Sequence, residues 1–340
     1  MTETIIMMNN VRLQKYAGLQ EKVGRTPLYE IQNIEIPNGN RVFAKEEWVN
    51  PTGSIFDRVY PHLFQIAEEE GKIIPGLTPV IEASTGNAGA SFAWCARQLG
   101  YDDCTVIIHE DAPKSRIEQI RTYGAKIIFS PPGQYTKGYV QKLEDVLRED
   151  KKAKGGQIGE NPKRLYCVTK INPRARELYQ QFVEEVIEKV PTIDYFVGVV
   201  GSGTSISGIG KYLKDFNSIT KIIAVDPEET PSTYYFKYEH KTIDYCKMPH
   251  NIFGGATFGL TLDKLNLDLD LIDEVRFVNK QEREEAFNQL SKNEQKEVGR
   301  TSCCVFSIAQ KLAEKVANKK ILICFYDLNW KYADVMVSIK

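Results

Sequence analysis

The stretch VGVVGSGTSISGIGKYLK (197–214) runs from an apolar strand into Gly201-Ser202-Gly203-Thr204-Ser205 and on into a helix. Glycines let a backbone approach a ligand closely, and the free N–H groups at a helix start face an anion with the helix dipole behind them. Ser202, Thr204 and Ser205 add hydroxyl donors. The same residues would also make a plain tight turn, but the preceding strand and following helix favour a phosphate. No Lys follows the second Gly and no G-x-G-x-x-G occurs, so this is neither a P-loop nor a dinucleotide fingerprint.

The strand–loop–helix pattern repeats along the chain. RVFAKEEW (41–48) is strand-like, RVYPHLFQIAEEEGK (58–72) is helical, TPVIEAS is a strand, and NAGASFAWCARQLGY is a helix closing at Gly100. CTVIIHE, KSRIEQIRTYGA, KIIFSP and GYVQKLEDVLRED continue the alternation up to a polar, Gly-containing stretch at 151–164. It then resumes as RELYQQFVEEVIEKV, DYFVGVVG, SISGIGKYLKDF, TKIIAVDPE, REEAFNQLSKNEQK, VFSIAQKLAEKVA and KKILICFYD. Short apolar strands separated by amphipathic helices predict parallel sheets covered on both faces. In such folds ligands bind beyond the C-terminal ends of strands.

Composition narrows the function. The 340 residues carry 44 basic and 45 acidic side chains, so the overall balance gives no pull toward nucleic acid or an anionic membrane. The basic run KKAK (151–154) reads as a solvated loop. No apolar run is long enough to span a bilayer, and the N-terminal MTETIIMMNNVRLQKYAG resembles neither a signal nor a transit peptide. Seven cysteines without a C-x-x-C pair, several inside apolar segments, fit a reducing cytoplasm. His62, His109, His240 and His250 show no ligand spacing, so no metal is expected. Adjacent Cys303 and Cys304 read as packing at a helix start rather than a redox pair.

Two further loops have suitable chemistry. In IEASTGNAGAS (81–91), Ser84, Thr85 and the amides of Gly86 to Ala88 form a nest suited to a carboxylate, and Asn87 offers both a donor and an acceptor. A capped helix start is an equal reading of that loop. In VNPTGSIFDRVYPHL (49–63) a turn at Asn50–Ser54 leads into a helix, with Ser54 as N-cap and Asp57 three residues on.

Taken in order, VGRTPL (23–28), NPTGSIFDR (50–58), STGNAG (84–89), GSGTS (201–205) and FYDLNWKYAD (325–334) resemble the cysteine synthase and cystathionine β-synthase family from about residue 12 to 338. That family comprises fold-type II enzymes dependent on pyridoxal phosphate (PLP). The resemblance implies an α/β fold of the tryptophan synthase β type, with two three-layer α/β/α domains and mostly parallel sheets. The smaller domain is expected over 46–160 and the larger over 13–45 and 161–340, with the pocket between them. It also implies PLP phosphate at Gly201, Ser202, Gly203, Thr204 and Ser205, substrate carboxylate at Ser84, Thr85 and Gly86, and Asn87 beside the cofactor's ring hydroxyl. Related proteins are commonly homodimers, and a homodimer is expected here by analogy.

Phe56 stands where the family has its Schiff-base lysine. A phenyl ring forms no imine and shuttles no proton. Against the pyridine nitrogen, where the family has Ser or Thr, the alignment places Leu328; a one-residue shift offers Asn329. The anion-holding loops survive while the covalent anchor is gone. The expectation is a cysteine synthase-like protein that binds a phosphate- and carboxylate-bearing, amino-acid-like ligand without a covalent bond. PLP or a preformed PLP–amino acid imine would serve, in an atypical enzyme or a regulatory pseudoenzyme. The alternative is an active β-replacement or β-elimination enzyme with a relocated lysine. In YCVTKINPRAR, Lys170 falls near a family phenylalanine that lines the site, so Phe56 and Lys170 would have exchanged places. Lys45, on the strand before the motif, is the other nearby amine.

Overall fold

The computed structural model describes residues 2–84, 86–242, 252–255 and 260–333, with the backbone alone for 2–9. Two sheets organise the chain. The six-stranded sheet has the order β1 (Leu28–Glu30), β2 (Arg41–Glu46), β10 (Lys320–Phe325), β7 (Tyr195–Val199), β8 (Lys221–Pro227), β9 (Glu274–Val278). The four-stranded sheet has the order β5 (Lys126–Ser130), β4 (Cys104–His109), β3 (Val80–Ala83), β6 (Tyr166–Cys167). All pairings are parallel except β1 with β2. Fully buried strands such as β3 and the inner residues of β7, β8 and β10 explain the near-continuous apolar runs.

The helices are α1 (Thr2–Gln20), α2 (Tyr60–Glu69), α3 (Asn87–Leu99), α4 (Lys114–Thr122), α5 (Tyr135–Lys154), α6 (Gln180–Lys189), α7 (Thr204–Phe216), the short α8 (Ser232–Tyr234), α9 (Lys280–Asn293) and α10 (Arg300–Ala313). Several boundaries differ from the sequence reading: α5 extends through the KKAK run (151–154), which is a helix end rather than a loop, and α9 and α10 begin three and five residues earlier than read. The helix expected from 58 begins at Tyr60, because 55–58 forms a tighter 3-10 turn. The helix expected from 176 begins at Gln180, after a 3-10 segment Pro173–Tyr179. Strand β6 joins the smaller sheet beyond residue 160, so that sheet reaches past the polar stretch. Strands β1, β6 and β9 were not read; β1 and β6 hold at most two apolar residues each, too few to give a period, whereas β9 (EVRFV) alternates and was missed.

Six cysteines are free thiols among the described residues, and Cys303 and Cys304 are both buried. Burial pushes the Cys304 thiol up to about 12, as expected of a packing residue. Among the described residues no helix is long and apolar enough to cross a membrane.

A buried charge cluster fixes the start of the 50–58 motif. Arg58 donates to Glu47 (Nε to Oε2 2.7 Å, Nη2 to Oε1 2.8 Å) and to Glu185 (Nη1 to Oε1 2.9 Å, Nη2 to Oε2 2.8 Å). Lys45 Nζ reaches Glu185 Oε2 at 2.6 Å and Thr26 O at 2.5 Å. Two cations and two anions cancel, so the cluster tolerates burial as a complete set. Burial works against the Glu185 carboxylate, but Arg58 and Lys45 hold it down at about 2, below its ordinary 4.5.

Two outcomes follow for unfolding in urea. Arg58→Met leaves the buried Glu47 without its close cation and lowers stability at pH 7 by about 3–5 kcal/mol, while Glu185 keeps Lys45. Because the folded Glu185 pKa is depressed, its contribution is present above pH 4.5 and is lost as pH falls toward 2 in the wild type, but not in Glu185→Gln.

Candidate functional site

The 50–58 turn is held by nearly all of its polar residues. Asn50 Oδ1 accepts from Gly24 N (2.9 Å) and its Nδ2 donates to Glu47 Oε2 (2.9 Å). Ser54 Oγ accepts from Phe56 N (3.2 Å), capping the 3-10 turn. Asp57 does not complete a capping box; its carboxylate takes Thr52 N (2.7 Å) and Thr52 Oγ1 (2.6 Å). Arg58 points into the charge cluster. Phe56 is left half-buried on the cleft wall.

At the start of α3, Ser84 Oγ accepts from Gly86 N (3.0 Å) and Gly89 N (2.9 Å), so this hydroxyl supplies the helix cap. The amides of Asn87 and Ala88 lie in the first turn, where no intrahelical acceptor exists. Gly86 has φ 142, and a Cβ there would lie 2.5 Å from Arg116 Cδ. Only glycine lets the loop pass over that arginine. Thr85 lies outside the described residues.

At the start of α7, Gly203 takes φ 83, and the first backbone bond into the turn is Ser207 N to Gly203 O (3.0 Å). The amides ahead of it have no intrahelical acceptor. Thr204 Oγ1 donates to Lys170 O (2.8 Å) and lies 3.1 Å from Ser202 Oγ. That contact ties the loop to the Lys170 segment.

These pieces meet in one cleft of about 840 Å³, mouth included, lined by Phe56, Ser84, Asn87, Lys170, Gly201 and Ser202 among others. A smaller inner chamber shares Phe56, Asn87, Gly201 and Ser202 with it and adds Ser205 and Thr301. Lys170 Nζ donates to Ala83 O (3.0 Å) and lies 3.8 Å from Glu82 Oε1. Lys45 is committed to the charge cluster. Leu328 is outside both linings and pairs with Val298 in an isolated bridge; Asn329 is outside them too.

Four residues were not singled out from the sequence. Thr301, in the first turn of α10, lines the inner chamber, and its buried hydroxyl lies beside that of Tyr332. The nearby Tyr332 hydroxyl donates to Asp327 Oδ2 (3.0 Å). A Gly followed by hydroxyls (GRTS, 299–302) at a helix start is the same signal as in the other loops and marks it in retrospect. Arg116 is buried beneath Gly86, its guanidinium against the Tyr332 and Phe253 rings (4.4 and 5.3 Å) and Nη2 3.2 Å from Asp327 Oδ2. Asp327 also accepts from Asn87 Nδ2 (2.7 Å). Lys331, fully buried, donates from Nζ to Thr52 O (2.8 Å), Gly53 O (3.0 Å) and Asn87 Oδ1 (3.0 Å). Both ends of the Asn87 amide are thereby oriented, with one N–H left for a ligand.

The chain belongs to the pyridoxal-phosphate dependent enzyme family, whose model matches residues 19–327. The cysteine synthase of Staphylococcus aureus is 33% identical over 220 residues, covering 63% of this chain and 66% of the relative, just under two thirds of its length. A hydrogen sulfide-producing enzyme of Fusobacterium nucleatum superposes with a TM-score of 0.78 at 26% identity over 92% of this chain and 98% of that one. The cysteine synthase of Entamoeba histolytica does so with 0.79 at 24% identity over 95% and 90%, a likeness of fold. The α/β architecture is that of these structures.

The residues present fit PLP. Thr301 borders a chamber that also receives the oriented Asn87 amide and the first turn of α7, whose leading amides lack intrahelical acceptors. Free amides at a helix start suit a phosphate, and a hydroxyl bordering the chamber suits a polar ring edge.

Burial pulls the Lys331 ammonium down to about 8, opposed by Asp327. It is charged at pH 7, and its three N–H donors match its three acceptors. Because the folded pKa lies below the ordinary 10.5, folding releases a proton between pH 8 and 10.5. Urea titrations should therefore show the stability of wild type relative to Lys331→Met rising across that window.

Proposed function

We propose that the cleft binds a ligand carrying both a phosphate and a carboxylate, with PLP joined to an amino acid as the type, and that it does so without a covalent bond at position 56. The carrying observation is convergence: Gly201, Ser202, Ser205 and Asn87 border one chamber with the Phe56 ring in its wall. In this reading the amides of Ser202 to Ser205 hold the phosphate. The Asn87 and Ala88 amides, backed by the Arg116 charge, hold the carboxylate. The free N–H of Asn87 meets the ring hydroxyl and Thr301 Oγ1 meets the ring nitrogen. Phe56 packs against the ring face, where offset stacking is favourable. Bound there, PLP supplies an electron sink for chemistry at an amino-acid α-carbon.

One observation favours a second reading. Lys170 lines the same cleft as Phe56, so an amine is present although displaced. Its contacts with Ala83 O and Glu82 keep it beside the substrate loop, where it would serve a relocated lysine's role. This would restore cysteine synthase-like transferase or lyase activity.

Calorimetry with PLP and with deoxypyridoxine phosphate, which lacks the aldehyde, separates the two. Non-covalent binding predicts similar affinities and no lysine label after borohydride. A strong preference for PLP, with label mapped to Lys170 by mass spectrometry, would overturn it in favour of the second reading. Asn87→Ala should weaken either ligand by about 1–2 kcal/mol, roughly tenfold. Phe56→Lys should acquire a borohydride-fixed label at residue 56, and its absence with PLP in excess would mean that the chamber does not present the aldehyde there.

A further inference from the structure

Away from the anion-binding floor the cleft changes character. One wall is Tyr139, Val140 and Leu143 of α5, the facing wall is Leu260 and Leu265, and Ile171 joins them. The charges that border this sleeve already have protein partners. Lys170 is turned to Ala83 O and Glu82, and the second Glu82 oxygen accepts from Tyr60 (2.7 Å) and from Lys170 N (3.1 Å). Lys264 Nζ reaches Glu144 Oε1 at 2.6 Å, joining the turn Leu262–Lys264 to α5. A charged or strongly polar side chain entering here would give up water without gaining a partner, whereas an apolar one gains with the area it buries.

Building on the reading above, we propose that the amino-acid part of the ligand carries a bulky apolar side chain, branched aliphatic or aromatic, seated in this sleeve. The polar head then sits between the two helix starts and the side chain runs out between α5 and the 260–265 segment. The Lys264–Glu144 pair joins the two segments that carry the sleeve's walls.

Stable reduced adducts provide the probes. Calorimetry on the full chain with phosphopyridoxyl-L-leucine, -L-alanine and -L-aspartate should rank the leucyl adduct tightest, on the order of tenfold or more over the alanyl one, with the aspartyl adduct no tighter than alanyl. Leu143→Asn and Leu265→Asn, each first checked for native circular dichroism, should lower leucyl affinity more than alanyl affinity. Equal affinities for the three adducts, or a preference for the aspartyl one, would overturn the apolar sleeve while leaving the phosphate and carboxylate sites standing. Absence of binding by all three adducts and by PLP itself would overturn both.

Discussion

A single buried ammonium sets the geometry of the cleft. Lys331 comes from the segment after the last strand of the larger sheet, yet its Nζ is held by two carbonyls of the 50–58 turn and by Asn87 at the start of α3. Asp327 grips the other end of the Asn87 amide. The contact therefore joins the closing segment, the turn bearing Phe56 and the substrate-side loop at one point. Taking an ammonium out of water costs several kcal/mol, and only a full set of acceptors with a nearby carboxylate offsets it. That requirement makes the arrangement all-or-none: shifting any one of the three segments leaves a donor or an acceptor unmatched.

The same economy holds the 50–58 motif together around Phe56. Asn50, Thr52, Ser54, Asp57 and Arg58 are engaged in holding the turn, through Gly24, Glu47, Glu185 and one another. Changing any of them would disturb buried polar groups. Phe56 faces the cleft instead, and its side chain is not needed for the turn to form. A substitution at this position would therefore disturb the turn less than one at its polar neighbours. The side chains that orient Asn87 are of the opposite kind, since they act on the ligand only through another residue.

Much of the cleft was legible because its free helix-start amides are local. A strand, a glycine-bearing turn and a helix start are contiguous, so Gly201–Ser205 and Ser84–Asn87 reveal free N–H groups from a few adjacent residues. Which hydroxyls serve the helix and which serve a ligand was not legible. Ser84 turned out to cap α3, and Thr204 to bind the Lys170 carbonyl. The alignment at the chain's end placed Leu328 at the ring-nitrogen position; Leu328 lies outside the chamber lining, which Thr301 of α10 joins instead. These positions are separated by a helix and a strand, and no local period connects them.

By itself the sequence determined the alternation of strands and helices, the parallel sheets and the two glycine-bearing helix starts with free amides, because each depends on backbone geometry over a few neighbouring residues. The tertiary structure alone decided that Lys331 is an internal clamp rather than a surface charge, that Arg116 lies beneath Gly86, and that Phe56 and Lys170 border the same space. Charge state, burial and convergence are properties of surroundings assembled from distant segments, and a lysine's letter is the same whether water or three carbonyl-type oxygens receive its protons.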